Sequence, residues 1–406
     1  MTSRAHDKEV LMILESCFPT EGGGGAEGQV RTLGRYLTAR GIPVRIVVPM
    51  VPRGPQQEYD AVDGVPVWRI PYPSIRKIGG LVLLVKLAWF LFRHRRNYDV
   101  IHAHIAHNLA VVSSVVGRLL GKKVIVKATG SLELAQGILD SRNRRLAAML
   151  TRAGLKHASY FQATSSEIRK CLVENGFDAG RVRVIPNAVD IERFSGRANA
   201  GTHRNGPLTA VYVGRLEDDK GTDVLVPAWI DAFPRDASAR LLLVGEGSQR
   251  EILDRLIAEN GRQDIRLLGP QEDVAPFLAE ADFAVLPSRH EGLSNALLEC
   301  MAAGLPVLGT RVSGTVDFIE PERSGWLVDP GDRTQMAEQL RRVGGLGRPA
   351  LDAMGQRARE RVSEIARIDA VTRKLLELYE IDGLRPVPVD GHEQDGCRRT
   401  RAVDDM

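Results

Sequence analysis

Short runs of branched apolar residues alternate along this chain with stretches of about a dozen residues in which apolar side chains recur every three or four positions. The first pattern is that of a buried strand and the second that of an amphipathic helix. Their alternation predicts parallel sheets covered by helices on both faces. In the first half the strand candidates are residues 10–14, 44–48, 65–70, 100–103, 124–127 and 182–185. Between the first two, residues 29–40 carry a helical stripe that stops at Gly41, as helices often do at glycine. Residues 195–207 have no apolar periodicity and read as a linker. The rhythm then restarts at 210–213, 241–244, 265–268, 283–286, 307–308 and 326–328. Two doubly wound α/β domains in tandem are expected, with ligands beyond the carboxyl ends of the strands. No sequence repeat relates the halves, and the polar tail at 385–406 is expected to be disordered.

Composition supports two domains and little else. At 406 residues the chain exceeds what one core usually serves. The four cysteines are far apart and form no CxxC pair, which argues for reduced thiols in a cytoplasmic protein. No opening segment has the pattern of an export signal. Charge adds more. Residues 1–186 hold 27 Lys and Arg against 14 Asp and Glu, a net of +13, and the remainder balances to −9. A basic first half suits an anionic membrane or an acidic substrate; the halves attracting each other is the plainer explanation. Nucleic acid is not expected, because the basic residues are not interleaved with aromatics.

Residues 79–92 are almost wholly apolar and run into Arg93, His94, Arg95 and Arg96. A twelve-residue helix reaches ~18 Å, short of a bilayer core of ~30 Å. A buried crossover helix is expected, with a helix lying on a membrane surface as the alternative.

The segment 287–299 carries the most chemistry. A strand ends at Leu286, a loop follows, and a helix is expected from Asn295 to Ala303, stopped by Gly304 and Pro306. Gly292 lets backbone amides approach a ligand, and the free N–H groups of the helix form an anion site. Glu291 and Glu299 flank that site; carboxylates repel phosphate, so they suit sugar hydroxyls. Glu291 to Glu299, with Met301 to Val307, resembles the donor-site signature of the retaining GT-B glycosyltransferases of family 4. Val213-Gly214-Arg215-Leu216 with Lys220-Gly221 is similar to that family's "GR…KG" element. Val244 to Gly247, Gly325 to Val328 and Ile185 to Asp190 resemble further family elements in the family's order, so the likeness spans nearly the whole chain.

The resemblance implies a GT-B architecture, two Rossmann-like domains facing each other across a cleft. Residues 1–187 would form the acceptor-side domain and 188–365 the donor domain, with a helix near 366–382 crossing back. It implies that Arg215 and Lys220 bind the donor diphosphate, that Glu299 holds the ribose and Glu291 the sugar, and that amides around Leu293 and Ser294 meet the sugar or diphosphate. Arg215, Lys220 and Glu291 are then the catalytic candidates. A cation pair can neutralise a departing diphosphate without a metal, so neither metal nor cofactor is expected.

In the first half, Gly23, Gly25 and Gly28 satisfy GxGxxG, yet they follow the strand at a distance and the second strand lacks an acidic residue for a ribose. The loop, with Gly23 and Gly24, instead resembles the family's glycine loop over the donor phosphate. Where the family commonly has a histidine, this chain has Thr129. Among His102, His104 and His107, the second is expected near the acceptor, beside Thr129. The reaction implied is transfer of a hexose-type sugar from a nucleoside diphosphate to a glycan or lipid-linked acceptor with retention. It would occur in the cytoplasm, where the protein would touch the anionic inner face of the membrane. Rival readings are a GT-B nucleotide-sugar epimerase, an NAD-dependent enzyme and a non-catalytic sugar-nucleotide sensor.

Overall fold

The computed structural model describes residues 9–19, 24–51, 56–75, 78–130, 137, 139–196, 206–235 and 239–381. Most of the linker and the whole tail at 385–406 lie outside them. The first half forms an eight-stranded sheet from β1 (Val10–Ile13), β2 (Val44–Met50), β3 (Tyr59–Val62), β4 (Val65–Pro71), β5 (Val100–Ala103), β6 (Lys123–Ala128), β7 (Tyr160–Ala163) and β8 (Val182–Val184). Its order is β3-β4-β2-β1-β5-β6-β7-β8, parallel except for the β3–β4 hairpin. The second sheet holds β9 (Leu208–Val213), β10 (Ala239–Val244), β11 (Ile265–Gly269), β12 (Phe283–Leu286), β13 (Val307–Thr310) and β14 (Gly325–Val328), ordered β11-β10-β9-β12-β13-β14 and parallel throughout.

Two strands escape the apolar pattern. β3 is exposed along most of its length, so no buried face marks it. β7 has the buried Gln162 where an apolar residue would signal a strand.

In the first half, α1 (Gly25–Ala39) covers one face of the sheet, while α2 (Ile78–Arg93), α3 (Asn108–Leu119), α4 (Leu146–Leu155) and α5 (Ser166–Glu174) cover the other. Val30, Leu33 and Leu37 of α1 recur at helical spacing, which is why that segment folds against the strands. The chain's last helix, α13 (Ile368–Tyr379), packs beside them: Val371, Leu375 and Tyr379 join Val10, Met12 and Leu37 in one core. Val189 holds this return crossing, its N–H donating to Ala366 O at 2.9 Å and its carbonyl accepting from Ile368 N at 3.1 Å.

The apolar stretch at 79–92 folds as α2 but is not a buried helix, which corrects the expectation. Leu83, Leu87, Phe90 and Leu91 enter the core, whereas Leu81, Val85, Trp89 and Phe92 each stay more than half exposed. A crossover helix has one sheet to lie on, and no described segment covers its opposite stripe. No helix among the described residues is long and apolar enough to cross a membrane.

Each sheet reverses its direction of growth once. β1 sits between β2 and β5, and β9 between β10 and β12. Loops leaving neighbouring strands at such a point diverge to opposite faces and open a crevice.

Candidate active site

The crevice of the second sheet is bounded by the loop after β9, residues 214–221, and the loop after β12, residues 287–294. Arg215 Nη2 lies 3.2 Å from Asp219 Oδ2, and Lys220 Nζ lies 3.7 Å from the same oxygen. Lys220 is also ion-paired with Glu291, which accepts a hydrogen bond from Ser288 Oγ at 3.2 Å. Two cations thus share two carboxylates, and the cluster is neutral as it stands. A diphosphate entering here would offer both cations a denser negative partner.

The two loops are braced together. Arg289 donates to both Asp223 carboxylate oxygens, at 2.7 and 2.6 Å, and its backbone N–H donates to Asp219 O at 2.9 Å. Gly221 has φ +69°, and a Cβ there would stand 2.1 Å from Pro287 O. Only glycine permits that approach, so Lys220 is held against the Glu291 loop by the backbone itself.

That second loop runs into α9 (Asn295–Ala302), capped by Ser294, whose Oγ accepts from Leu297 N at 3.4 Å. Across the cleft α1 begins beside Gly24. Asn295 spans the two helix starts: its Nδ2 donates to Gly25 O at 2.8 Å, and its Oδ1 accepts from Gln29 Nε2 at 3.1 Å and Asn187 Nδ2 at 2.8 Å. Gln29 also exchanges two hydrogen bonds with the Ala188 backbone, at 2.9 and 2.8 Å. The N-termini of two helices, each a positive dipole end, therefore converge on one space, with Glu27 in the first turn of α1. Gly292 packs so closely against the first half that a Cβ there would lie 1.5 Å from Thr129 O. Ser165 and Ser313 hydroxyls meet at 2.7 Å, and Ser166 N donates to Asp317 Oδ2 at 2.8 Å, so the halves touch along the cleft.

Glu299 lies one turn into α9, half-buried, and no hydrogen bond reaches its carboxyl among the described residues. Burial pushes that carboxyl up to about 7, with Arg193 pulling the other way.

The first half contributes differently. His102 and His104 share a strand face, as alternation requires, but both are fully buried and their rings stack at 4.1 Å. His102 Nδ1 lies 2.6 Å from Tyr379 Oη of α13. The placing of His104 at the acceptor is corrected: it is sealed beneath the cleft, with neither ring nitrogen partnered. Burial holds His102 down at about 3, His104 well below the usual imidazole range and Lys127 at about 7. The half-exposed His107 instead faces outward with Nδ1 2.9 Å from Glu15 Oε1, and Glu15 Oε2 accepts from Leu109 N at 2.9 Å at the start of α3. No group of three or more His, Cys, Asp or Glu among the described residues is placed to hold a metal.

Two protein-family models match in tandem: "Glycosyltransferase Family 4" over residues 23–193 and "Glycosyl transferases group 1" over residues 207–344. The N-acetyl-alpha-D-glucosaminyl L-malate synthase of Bacillus anthracis is 26% identical over 385 residues, 91% of this chain and 96% of that one. The chain is a glycosyltransferase of the GT-B type. The Anabaena HepE structure in complex with UDP and glucose superposes with a TM-score of 0.71 at 18% identity, over 92% of this chain and 99% of that one, which shows the two-domain fold. The lipopolysaccharide core biosynthesis glycosyltransferase LpsE of Rhizobium meliloti is 33% identical over 193 residues; this match spans 46% of the present chain and 55% of LpsE.

Within this glycosyltransferase, Arg215, Lys220, Glu291, Gly292, Leu293, Ser294, Gly24 and Thr129 all border one cleft, while Gly23 lies outside the described residues. Leu293 is buried, its carbonyl accepting from Asn187 Nδ2 at 3.1 Å. Sequence reasoning missed Asp219, the Arg289–Asp223 brace and the Gln29–Asn187–Asn295 contact. The signal for the last was a glutamine standing within the buried stripe of α1. The brace joins residues 66 apart and has no local signal.

Proposed function

We propose that this glycosyltransferase moves a hexose-type sugar from a nucleoside diphosphate to an acceptor hydroxyl, with retention and without a metal, in assembling a cell-surface glycan or glycolipid. The observation that carries this reading is the placing of Arg215 and Lys220 at the crevice where the starts of α1 and α9 converge. A diphosphate seated there would meet two cations and the N–H groups of two helices, which supply the charge neutralisation a metal supplies elsewhere. Glu299, with its carboxyl unengaged, suits the ribose hydroxyls, and Glu291 suits the sugar.

In the step proposed, the bond from the anomeric carbon to the phosphate oxygen breaks while the acceptor oxygen bonds to that carbon on the same face. The departing phosphate takes the acceptor's proton, so no protein base is required. That HepE is seen with UDP and glucose, and that LpsE is named for lipopolysaccharide core biosynthesis, supports a UDP-sugar and a surface glycan. The test begins by screening UDP-, GDP- and ADP-hexoses by thermal shift. Transfer with the stabilising donor is then followed by NMR in excess EDTA. Retained anomeric configuration and undiminished turnover are expected. Inversion, or activity lost and restored only by Mg²⁺ or Mn²⁺, overturns the reading.

A further inference from the structure

Of the four helices that cover one face of the first sheet, α5 carries Glu167 and Glu174, whereas α2, α3 and α4 contain no aspartate or glutamate. Their cations stand unbalanced: Arg93, Arg95 and Arg96 at the end of α2, and Arg144 and Arg145 at the start of α4, have no carboxylate partner among the described residues. The outward stripe of α2 is apolar as well. Ile78, Leu81, Val85, Trp89 and Phe92 recur at spacings of three and four, which sets them on one helix face. Val85 is 61% exposed and Trp89 63%. On α4, Leu146, Met149 and Leu150 are also more than half exposed. An apolar surface of this kind on a folded domain marks a place where something binds.

Charge decides what. A second copy would set unpaired arginines against their own kind, which opposes self-association. An anionic bilayer satisfies both halves of the pattern together, hydrocarbon for the stripe and headgroup charge for its rim. The Arg95 guanidinium already lies over the Phe92 ring, 4.4 Å from its centroid, and donates to Phe92 O at 2.9 Å. We propose that the outer face of α2, continued by α4, is a docking surface for an anionic lipid bilayer. The helix would lie in the interface plane with Trp89 among the headgroups. This surface is separate from the donor crevice, so the proposal stands apart from the donor chemistry above. It gives the basic first half a use, namely to present the cleft to an acceptor carried on lipid.

The test is flotation of the full chain with vesicles of equal parts phosphatidylglycerol and phosphatidylcholine, beside vesicles of phosphatidylcholine alone. Binding to the anionic vesicles, weakening as salt rises, is expected, with a blue shift of tryptophan emission that Trp89→Phe abolishes. Removing Arg93, Arg95 and Arg96 together by alanine should lower vesicle partitioning by on the order of 100-fold, since each contributes a similar factor at an anionic surface. Val85→Gln with Trp89→Gln should abolish binding while thermal unfolding and donor binding stay as in the parent, because both side chains already face outward. The proposal is overturned by no binding to anionic vesicles at low salt, by equal binding to both vesicle types, or by partitioning that the alanine changes leave intact. A stable dimer in sedimentation that the glutamine pair dissociates would also overturn it, assigning the face to a second copy.

Discussion

The two walls of the cleft are built on the same kind of sheet and do opposite things with it. On the second-domain wall the strand-end loops carry charge, with Arg215, Lys220, Asp219 and Glu291 interlocked and the Arg289–Asp223 brace behind them. On the first-domain wall the contacts come from uncharged groups, namely Gly25 O, Thr129 O, the Gln29 amide and the Ser165 hydroxyl, with His102 and His104 fully buried. The difference teaches that one fold can divide labour between its copies: one wall holds charge in place, while the other closes over it and keeps a surface for something else. The outer faces follow suit, since α2 to α4 lack carboxylates whereas the second-domain helices α6 (Thr222–Ala232) and α7 (Arg250–Glu259) expose Asp231, Glu251, Asp254 and Glu259.

If the charged wall carries the chemistry, Lys220→Ala should cost the most, lowering kcat by roughly 10²–10³, the scale of one lost transition-state donor. Melting temperature should hardly move. Steady-state kinetics beside calorimetry checks this, and near-normal turnover would remove Lys220 from the site. The contact between the walls comes next. Gly292→Ala places a methyl against Thr129 O and Ile168, both of the first half, so the halves must part. A displacement of that order should lower kcat by about 10–100-fold while leaving the affinity for free nucleoside diphosphate near normal. Loss of both together would show that the glycine serves the donor site alone.

Glu299 sharpens the division within the charged wall. Glu299→Gln should weaken binding of free nucleoside diphosphate by about tenfold, the size of a charge-assisted hydrogen bond, whereas Glu291→Gln should spare it and damage turnover of the sugar donor. The carboxylate is the form that accepts from ribose, so wild-type affinity should fall as pH drops through about 7, and Glu299→Gln should lack that slope. Stability carries the opposite sign. A carboxyl raised in the fold contributes stability below its unfolded pKa and loses it as pH rises through about 7. Glu299→Gln should therefore melt higher than wild type above neutrality and alike in acid; isothermal titration and melts across pH decide both. The smallest effect belongs to the other wall. His104→Phe removes two unpartnered buried nitrogens, so stability should hold or rise slightly and turnover should persist. Loss of acceptor binding would return His104 to the site.

The sequence by itself determined most strands, the loops that carry Arg215, Lys220 and Glu291, and the opposed charges of the halves. These are local facts: an apolar run marks a strand buried on both faces, and loop chemistry sits at fixed distances from strand ends. Tertiary structure alone decided which faces were covered and by what. Alternation placed His102 and His104 on one face, but only the return of α13, some 270 residues later, put Tyr379 against it. An apolar run at 79–92 could not tell a helix buried on all sides from one with a bare stripe, because periodicity records a segment's own pattern and not its neighbours. The short strand β3 pairs with its neighbour β4 and escaped notice because it is exposed. The Arg289 brace and the Asn295 contact lay beyond reach because each depends on a partner far along the chain, whose position is set by packing rather than by the residues beside it.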